Sequence, residues 1–296
     1  MNSVATDMNV HMDEAEVRDY FSLLKPRVMT LVIFTGICAL LVAPGDLHPF
    51  LACVTIFCLA IGAGAAGAIN MWYDRDIDAV MKRTSSRPIP AGKVPPAEAL
   101  TFGIVLSLFA VMVLGLAVNW VAAFWLAFAN IFYSVVYTMW LKRSTAQNIV
   151  IGGAAGAFPP IIAWAAVTGT TPVEAWVLFA IIFFWTPPHF WALALFACKD
   201  YEKVGIPMLP VVKGERHTKW QMLGYTILLA VIATLPGVLG FAGFGYTIAA
   251  TVLNLLFIIS AVQVLQEEEG QYRAAKRMFG YSIFYLFALF AVLVMF

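Results

Sequence analysis

Charged residues are scarce in this sequence. Asp, Glu, Lys and Arg together make up 12% of its 296 residues, whereas a typical soluble domain contains roughly 25%. Hydrophobic residues make up 62%, and a soluble chain of this composition would expose large apolar patches and aggregate. The composition therefore excludes a soluble globular protein and indicates an integral membrane protein. Since the net charge is only +1, we expect no nucleic-acid partner.

Motifs of several other protein classes are also missing. The four cysteines form no C-x-x-C pair, so neither a zinc site nor a thioredoxin-type site is indicated. The first 24 residues are polar and acidic and lack the basic-then-apolar order of a signal peptide. We expect residues 1–24 to form a cytoplasmic tail or an interfacial helix, followed by a single transmembrane domain at 25–296.

Long apolar runs are what the sequence has in abundance. Each is close to the roughly 20 residues that a helix needs to cross a bilayer. The runs lie near residues 28–44, 50–69, 98–118, 120–141, 149–168, 173–196, 221–241, 246–266 and 279–296. Because they are continuous, they indicate helices and not the alternating ten-residue strands of a membrane barrel. The sequence therefore predicts an all-α integral membrane protein with nine transmembrane helices in a lipid bilayer.

Basic residues occur on only one side of this predicted bundle. All 18 Lys and Arg residues lie in the N-terminal segment or in the second, fourth, sixth and eighth connections. A missed or additional helix would destroy this alternation, so the pattern also supports nine spans. The positive-inside rule then places the N-terminus and the basic connections in the cytoplasm and the C-terminus outside. We expect a multi-pass protein of the cell inner membrane.

The segment "NMWYDRDID" at 70–78 places acidic groups directly after the second apolar run. Asn70, Asp74 and Asp78 are spaced i, i+4, i+8, which on a helix forms a single stripe. Hard oxygen ligands without His or Cys suit Mg²⁺, which usually binds one or two carboxylates together with substrate phosphate. These three residues are therefore our candidate metal ligands and catalytic residues.

Basic groups accompany this stripe in three cytoplasmic connections. Such charges suit the oxygens of a diphosphate, and the candidates are Lys82, Arg83, Arg87, Lys142, Arg143, Lys199 and Lys203. The connection at 199–214 also contributes Asp200, which we include among the candidate catalytic residues. Acidic groups for a metal and basic groups for phosphate, both at a membrane surface, predict a diphosphate that carries a lipid tail.

Three segments together resemble the UbiA family of membrane prenyltransferases. They are "NMWYDRDIDAVMKRTSSRP", "FFWTPPHFWALALF" and "KDYEKVGIPMLPVVKG", and they are most similar to the branch of the family that farnesylates haem. The family motif N-x-x-x-D-x-x-x-D is matched by Asn70, Asp74 and Asp78. In the second family motif only Asp200 fits cleanly, so Lys199 and Lys203 are expected to bind phosphate directly.

The resemblance implies a UbiA-type fold, with nine helices around a central cavity that is open to the cytoplasm and to lipid. It also implies farnesyl diphosphate as donor, haem B as acceptor, Mg²⁺ as cofactor and haem O as product. A downstream haem-A-forming enzyme or a terminal oxidase assembly would be a partner. In such a reaction aromatic faces shelter the farnesyl cation, and our candidates are Trp72, Tyr133 and Tyr137.

His189 is the candidate haem-binding residue. It lies inside an apolar run directly after Pro187 and Pro188, and an ionisable residue within the membrane is a functional candidate. The prolines interrupt the helical hydrogen bonds and free carbonyl groups. His189 is therefore expected either to bind haem through iron or a propionate, or to bond to a freed carbonyl.

Two other functions fit part of the sequence. A prenyltransferase that acts on an aromatic quinone precursor would share the first motif, although the "TPPHFW" segment and the single aspartate of the second motif favour haem. A secondary transporter would also have broken helices, but transporters usually bind near the bilayer midplane. Here nearly all the charge is at one surface, which favours the enzyme.

Overall fold

The computed structural model describes residues 15–296, and within that range the regular structure is entirely helical. Of the expected N-terminal tail, residues 1–14 lie outside the described residues, and part of the remainder forms the first helix. The helices are α1 Val17–Leu23, α2 Pro26–Val42, α3 Pro49–Tyr73, α4 Arg75–Val80, α5 Pro96–Ala117, α6 Trp120–Ile131, α7 Asn148–Gly152, α8 Ala154–Ala157, α9 Pro159–Thr168, α10 Val173–Phe196, α11 Cys198–Lys203, α12 Leu209–Lys213, α13 Glu215–Ile232, α14 Leu235–Val238, α15 Phe244–Gln266 and α16 Arg273–Met295.

Between residues 15 and 296 the structure contains the predicted number of membrane spans. Eight helices, some of them interrupted, are long and apolar enough to cross a bilayer, and α1 with α2 supplies a ninth although the two meet at 55°. Each of the nine apolar runs coincides with one of these spans. The prediction of an all-helical membrane protein with nine spans is therefore confirmed.

Several spans extend beyond the apolar run that predicted them. The second run ends at residue 69 but α3 continues to Tyr73, while α13 and α16 each begin six residues before their runs, at Glu215 and Arg273. Backbone hydrogen bonding does not stop where the side chains become polar, so these helices project past the apolar layer. The polar turn at the end of α3 carries the first motif.

The fourth span changes its helical geometry within the membrane. Residues Phe132–Leu141, which follow α6 directly, form a π-helix, which we call the π segment. Its hydrogen bonds join residues five apart, as in the bond from the amide of Lys142 to the carbonyl of Tyr137 at 2.9 Å. Such helices are rare and frequently occur at functional sites. Residues five apart, such as Tyr133 and Thr138, therefore share a face.

Close packing of α3 against α5 fixes the position of the first motif. A Cβ atom built on Gly103 of α5 would lie 2.8 Å from Cγ1 of Ile69 and 3.1 Å from the carbonyl oxygen of Ala65, both on α3. Only glycine permits this approach, because the backbone oxygen of Ala65 cannot rotate away as a side chain can. Gly103 thus keeps α5 against the helix that ends at the acidic motif.

We expect Gly103→Ala to lower the apparent melting temperature of the purified protein in detergent. Overpacking of a tight contact typically costs about 1–3 kcal/mol, which exceeds the gain of roughly 0.5–1 kcal/mol from replacing a helical glycine by alanine. The matched control is Gly224→Ala in α13, where nothing lies within 4 Å of the new Cβ. If Gly103→Ala were as stable as Gly224→Ala, the proposed close contact would be wrong.

Candidate active site

The junction of α3 and α4 buries all three residues of the first motif. Asn70 is 4%, Asp74 0% and Asp78 2% exposed. The uninterrupted helix that we expected is instead two helices joined at Asp74, whose ψ of 7° departs from helical geometry. Main-chain bonds still connect residues four apart, from Asp74 to Asn70 at 2.9 Å and from Asp78 to Asp74 at 2.8 Å.

Asn70 is the centre of a side-chain network at this junction. Its amide nitrogen donates to Oδ2 of Asp74 at 2.7 Å and lies 3.0 Å from Oγ1 of Thr138 in the π segment. Its carbonyl oxygen accepts from Nζ of Lys25 at 2.6 Å. One buried amide therefore joins the chain before α2, the end of α3 and the π segment.

Each buried carboxylate of the motif is paired with a basic side chain. Nζ of Lys142 contacts Oδ2 of Asp74, and Nη1 of Arg87 contacts Oδ2 of Asp78 at 2.6 Å. Oδ1 of Asp74 accepts no hydrogen bond, and a nitrogen of Arg143 lies 3.6 Å away. The structure thus brings together the acidic stripe and three of the predicted diphosphate-binding residues.

Lys25 and Thr138 are the two members of the network that sequence reasoning did not include in the site. Lys25 connects α1 to α2 with a φ of 53°, and it is the only non-glycine residue between 15 and 296 with a positive φ. Lysine rarely adopts this left-handed conformation, so no sequence signal indicates the corner. Thr138 reaches Asn70 because the π segment turns it toward α3.

The predicted aromatic residues occupy two different places. Tyr133 lies beside the network, with Nζ of Lys25 5.9 Å from its ring centroid, and the ring of Tyr137 is 5.5 Å from that of Tyr133. Trp72 lies elsewhere, since its ring is covered by the guanidinium of Arg75 at 5.4 Å. Residues two apart on a helix project about 200° apart, so Trp72 faces away from Asn70.

A second cluster surrounds Trp72 and supports the corner before α2. Trp72, Tyr20 and Phe102 pack against a buried apolar cluster that includes Leu23. This contact packs Trp72 into the protein away from Asn70. The candidate role of Trp72 in sheltering a cation therefore stays a prediction without a contact that supports it.

Asp76 lies on the outer side of the same turn. Its carboxylate is 60% exposed and accepts two hydrogen bonds at 2.7 Å from the guanidinium of Arg143. These bonds hold the pKa of Asp76 below its ordinary value. Arg143 consequently bridges the exposed Asp76 and the buried Asp74, and it connects α4 to the end of the π segment.

The connection that contains Asp200 approaches the first motif through a tyrosine. Burial raises the pKa of the Tyr201 phenol, and the positive charge of nearby Arg83 opposes this shift. Asp200 is half-buried and makes no ion pair in the part of the chain that the structure describes. The remaining basic candidates, Lys82, Lys199 and Lys203, are exposed.

His189 lies on α10, which continues through Pro187 and Pro188 as one helix. The side chain is 8% exposed, and its Nδ1 lies 2.6 Å from Oγ of Ser282 on α16. We also expected that His189 could bond to a carbonyl freed by the prolines, but its partner in the structure is the hydroxyl of Ser282. Within residues 15–296, His189 makes no hydrogen bond to the acidic motif.

Comparison with known proteins places the chain in a family. The model of the UbiA prenyltransferase family matches residues 31–283, so the chain belongs to the UbiA prenyltransferase family, and the resemblance predicted from three motifs is confirmed. The protoheme IX farnesyltransferase of Rhizobium johnstonii is 60% identical over 284 residues, which are 95% of this chain and 90% of the relative. That of Parvibaculum lavamentivorans is 60% identical over 93% of this chain and 87% of the relative.

Solved structures share the fold at low sequence identity. A structure of digeranylgeranylglyceryl phosphate synthase has a TM-score of 0.78 at 18% identity and covers 94% of this chain and 97% of its own. A UbiA homologue from Archaeoglobus fulgidus bound to DMAPP and Mg²⁺ has a TM-score of 0.66 at 17% identity, with coverage of 94% and 100%. These matches confirm the UbiA-type fold.

We expect Lys142→Met and Asp74→Asn each to destabilise the protein, and their effects to be strongly coupled. Removal of one partner leaves the other nearly buried without neutralisation, which costs about 3–5 kcal/mol in comparable sites. A double-mutant cycle, measured by equilibrium unfolding in mixed detergent micelles, should give a coupling of about 1–3 kcal/mol.

Asp76→Asn is the matched control. The Asp76 carboxylate is paired with Arg143 at an exposed position, and exposed ion pairs contribute only about 0–1 kcal/mol to stability. A coupling between Lys142 and Asp74 no larger than that of an exposed pair would contradict the assignment of their contact as a buried ion pair.

Proposed function

We propose that the chain transfers a farnesyl group from farnesyl diphosphate to a vinyl group of haem B, with haem O and diphosphate as products. The observation that carries this proposal is the 60% identity over 95% of the chain to relatives named protoheme IX farnesyltransferase. The charged network at the end of α3 supports it, because a diphosphate donor requires such a cluster of basic groups.

The basic residues of the network would bind and neutralise the leaving group. Lys25, Arg87 and Lys142 now contact Asn70, Asp78 and Asp74 respectively. A bound diphosphate offers the same cations several oxygens, and positive charge near the developing anion lowers the barrier to breaking the allylic C–O bond. The other basic candidates would cover the bound donor from the surface. They are Arg83, Arg143 and the exposed Lys82, Lys199 and Lys203.

The first motif is our candidate site for a magnesium ion. Oδ1 of Asp74 is buried without a hydrogen-bond donor, which leaves it available to a cation, whereas Oδ2 of Asp74 and Oδ2 of Asp78 are paired with Lys142 and Arg87. We propose Asn70, Asp74 and Asp78 as ligands, with Asp200 as a further acidic group near the donor. Mg²⁺ bound there would supply additional neutralisation of the diphosphate. A UbiA homologue from Archaeoglobus fulgidus that binds DMAPP and Mg²⁺ shares this fold.

The remaining steps need positioning and little acid–base chemistry. As the C–O bond breaks, Tyr133 and Tyr137 would face the allylic cation with their rings; the place of Trp72 gives that residue no such support. The haem vinyl group forms a bond to the farnesyl carbon, and water then adds to the new cation and loses a proton. This gives a hydroxyethylfarnesyl group, and His189 is our candidate for binding the haem.

We further propose a location in the cell inner membrane. All 18 Lys and Arg residues lie in alternate connections, which supports a cytoplasmic N-terminus, cytoplasmic basic connections and an outer C-terminus. The donor would then bind at the cytoplasmic face. The product would be used by a haem-A-forming enzyme or in terminal oxidase assembly.

The reaction is tested by incubating membranes that contain the chain with farnesyl diphosphate and either haem B or 4-hydroxybenzoate. Mass spectrometry should detect the farnesylated product only with haem B, with a mass that corresponds to haem O. Product from the aromatic acid alone would overturn the haem assignment and indicate a prenyltransferase for a quinone precursor.

In the same assay, Asp74→Asn and Asp78→Asn should each lower kcat/KM for farnesyl diphosphate about 10²–10³-fold, the usual effect of removing one transition-state-stabilising group. Asp76→Asn, on the exposed side of the same turn, should change it less than about twofold. Equal effects of all three substitutions would show that the acidic segment acts through its total charge and not through a defined site.

A further inference from the structure

The imidazole of His189 is held on three sides by residues of α10 and α16. Trp185 stacks on one side with ring centroids 4.3 Å apart and planes inclined by 18°, and Phe279 stacks at 4.7 Å and 22°. Ser282 contacts the ring edge through Nδ1 at 2.6 Å. Because rotation of the ring would break both stacks, the two nitrogen atoms have fixed directions.

The backbone of Ser282 is fixed as firmly as the ring. The indole nitrogen of Trp185 donates to the carbonyl oxygen of Ser282 at 2.8 Å. The side chain of Ser282 is fully buried, so water does not compete for its hydroxyl group. Trp185 therefore acts twice, since it stacks on His189 and also holds the residue that bonds to His189.

The proton of the Ser282 hydroxyl determines the tautomer of His189. Oγ lies 2.6 Å from the carbonyl oxygen of Phe279, which can only accept, and 2.6 Å from Nδ1 of His189. A serine hydroxyl has one proton. If that proton were directed to Nδ1, two oxygen lone pairs would face each other at 2.6 Å. Both contacts are favourable only when Nδ1–H donates to Oγ and Oγ–H donates to Phe279.

This arrangement leaves the lone pair of His189 on Nε2. In the described part of the chain, Nε2 has no hydrogen-bond partner, and it is not among the fully buried polar atoms that lack one, so it is accessible to a ligand. A histidine that served only to join two helices would not need its other nitrogen directed and unpaired. A neutral imidazole whose opposite N–H is bonded is the usual form of a metal-ligating histidine.

We propose that Ser282 is a positioning residue that fixes the tautomer of His189, so that Nε2 coordinates the iron of the porphyrin acceptor. This inference rests on the proposed function, because that function supplies an iron porphyrin as substrate. It assigns the acceptor site to the α10–α16 interface. The "TPPHFW" segment of α10 would supply the iron ligand, and α16 would supply the residue that orients it. Trp185 and Phe279 keep the ring plane constant as the acceptor enters.

The test is titration of the purified full-length protein in detergent with ferric haem B and, separately, with metal-free protoporphyrin IX. Loss of a residue that orients a metal ligand typically lowers metal affinity about 10–100-fold. Ser282→Ala should therefore weaken haem B binding by that factor and alter the absorption spectrum of the bound haem. Its affinity for the metal-free porphyrin and its KM for farnesyl diphosphate should stay unchanged.

Three further variants separate positioning from packing. Ser282→Thr retains the hydroxyl and should restore the spectrum. Trp185→Phe retains the stack but removes the bond to the carbonyl of Ser282, so it should weaken haem B binding in the same direction. Ser260→Ala, a serine on the neighbouring helix α15, should leave both affinities unchanged.

Two outcomes would overturn the inference. In the first, Ser282→Ala binds haem B with an unchanged spectrum and affinity. In the second, the variant loses affinity equally for haem B and for the metal-free porphyrin, which indicates a packing role alone. Failure of the proposed function is distinguishable, because the unsubstituted protein would then produce no haem O and bind no haem B.

Discussion

The hydrogen bond between the side chains of Asn70 and Asp74 is the contact on which the charged end of the helical bundle depends. A buried carboxylate is strongly unfavourable unless it is paired and hydrogen-bonded. Asp74 is fully buried, so Asn70 and Lys142 must reach it from α3 and from the end of the π segment. Asn70 in turn accepts from Lys25. The need to neutralise the buried Asp74 carboxylate therefore fixes three segments relative to one another: the corner before α2, the end of α3 and the fourth span.

The same pairing explains how a membrane protein keeps so much charge in one buried place. Each cation of the network has an acidic or amide partner within the protein, and the carboxylates of Asp74 and Asp78 offset most of its positive charge before any ligand binds. The proposed diphosphate and metal ion would bring both signs of charge, and an exchange of partners would keep the net charge of the cluster small. The π segment contributes the geometry, because residues five apart along it, Tyr133 and Thr138, face the same region and Lys142 follows one turn beyond.

The sequence was sufficient for features that depend on local pattern and insufficient for those that depend on distant contacts. Nine apolar runs predicted nine spans, and the four-residue spacing of Asn70, Asp74 and Asp78 predicted that they share one side of the chain, but their burial depends on contacts with other helices. The candidate role of Trp72 stays a prediction, because its ring packs against Arg75 and not beside Asn70. The left-handed conformation of Lys25 has no sequence signal, since lysine does not favour it. Ser282 is 93 positions from His189, and only the packing of α16 on α10 reveals their contact.

The conformation of Lys25 has a consequence for engineering the protein toward higher stability. A residue other than glycine held at positive φ typically costs about 1–3 kcal/mol, and glycine or asparagine would relieve most of that strain. Either residue would also remove the ammonium group that reaches Asn70. Selection for thermostability alone would therefore favour replacements at position 25 that weaken the charged network. At this strained corner, a substitution that raises thermal stability would weaken ligand binding. Such a conflict is common where activity requires a strained site.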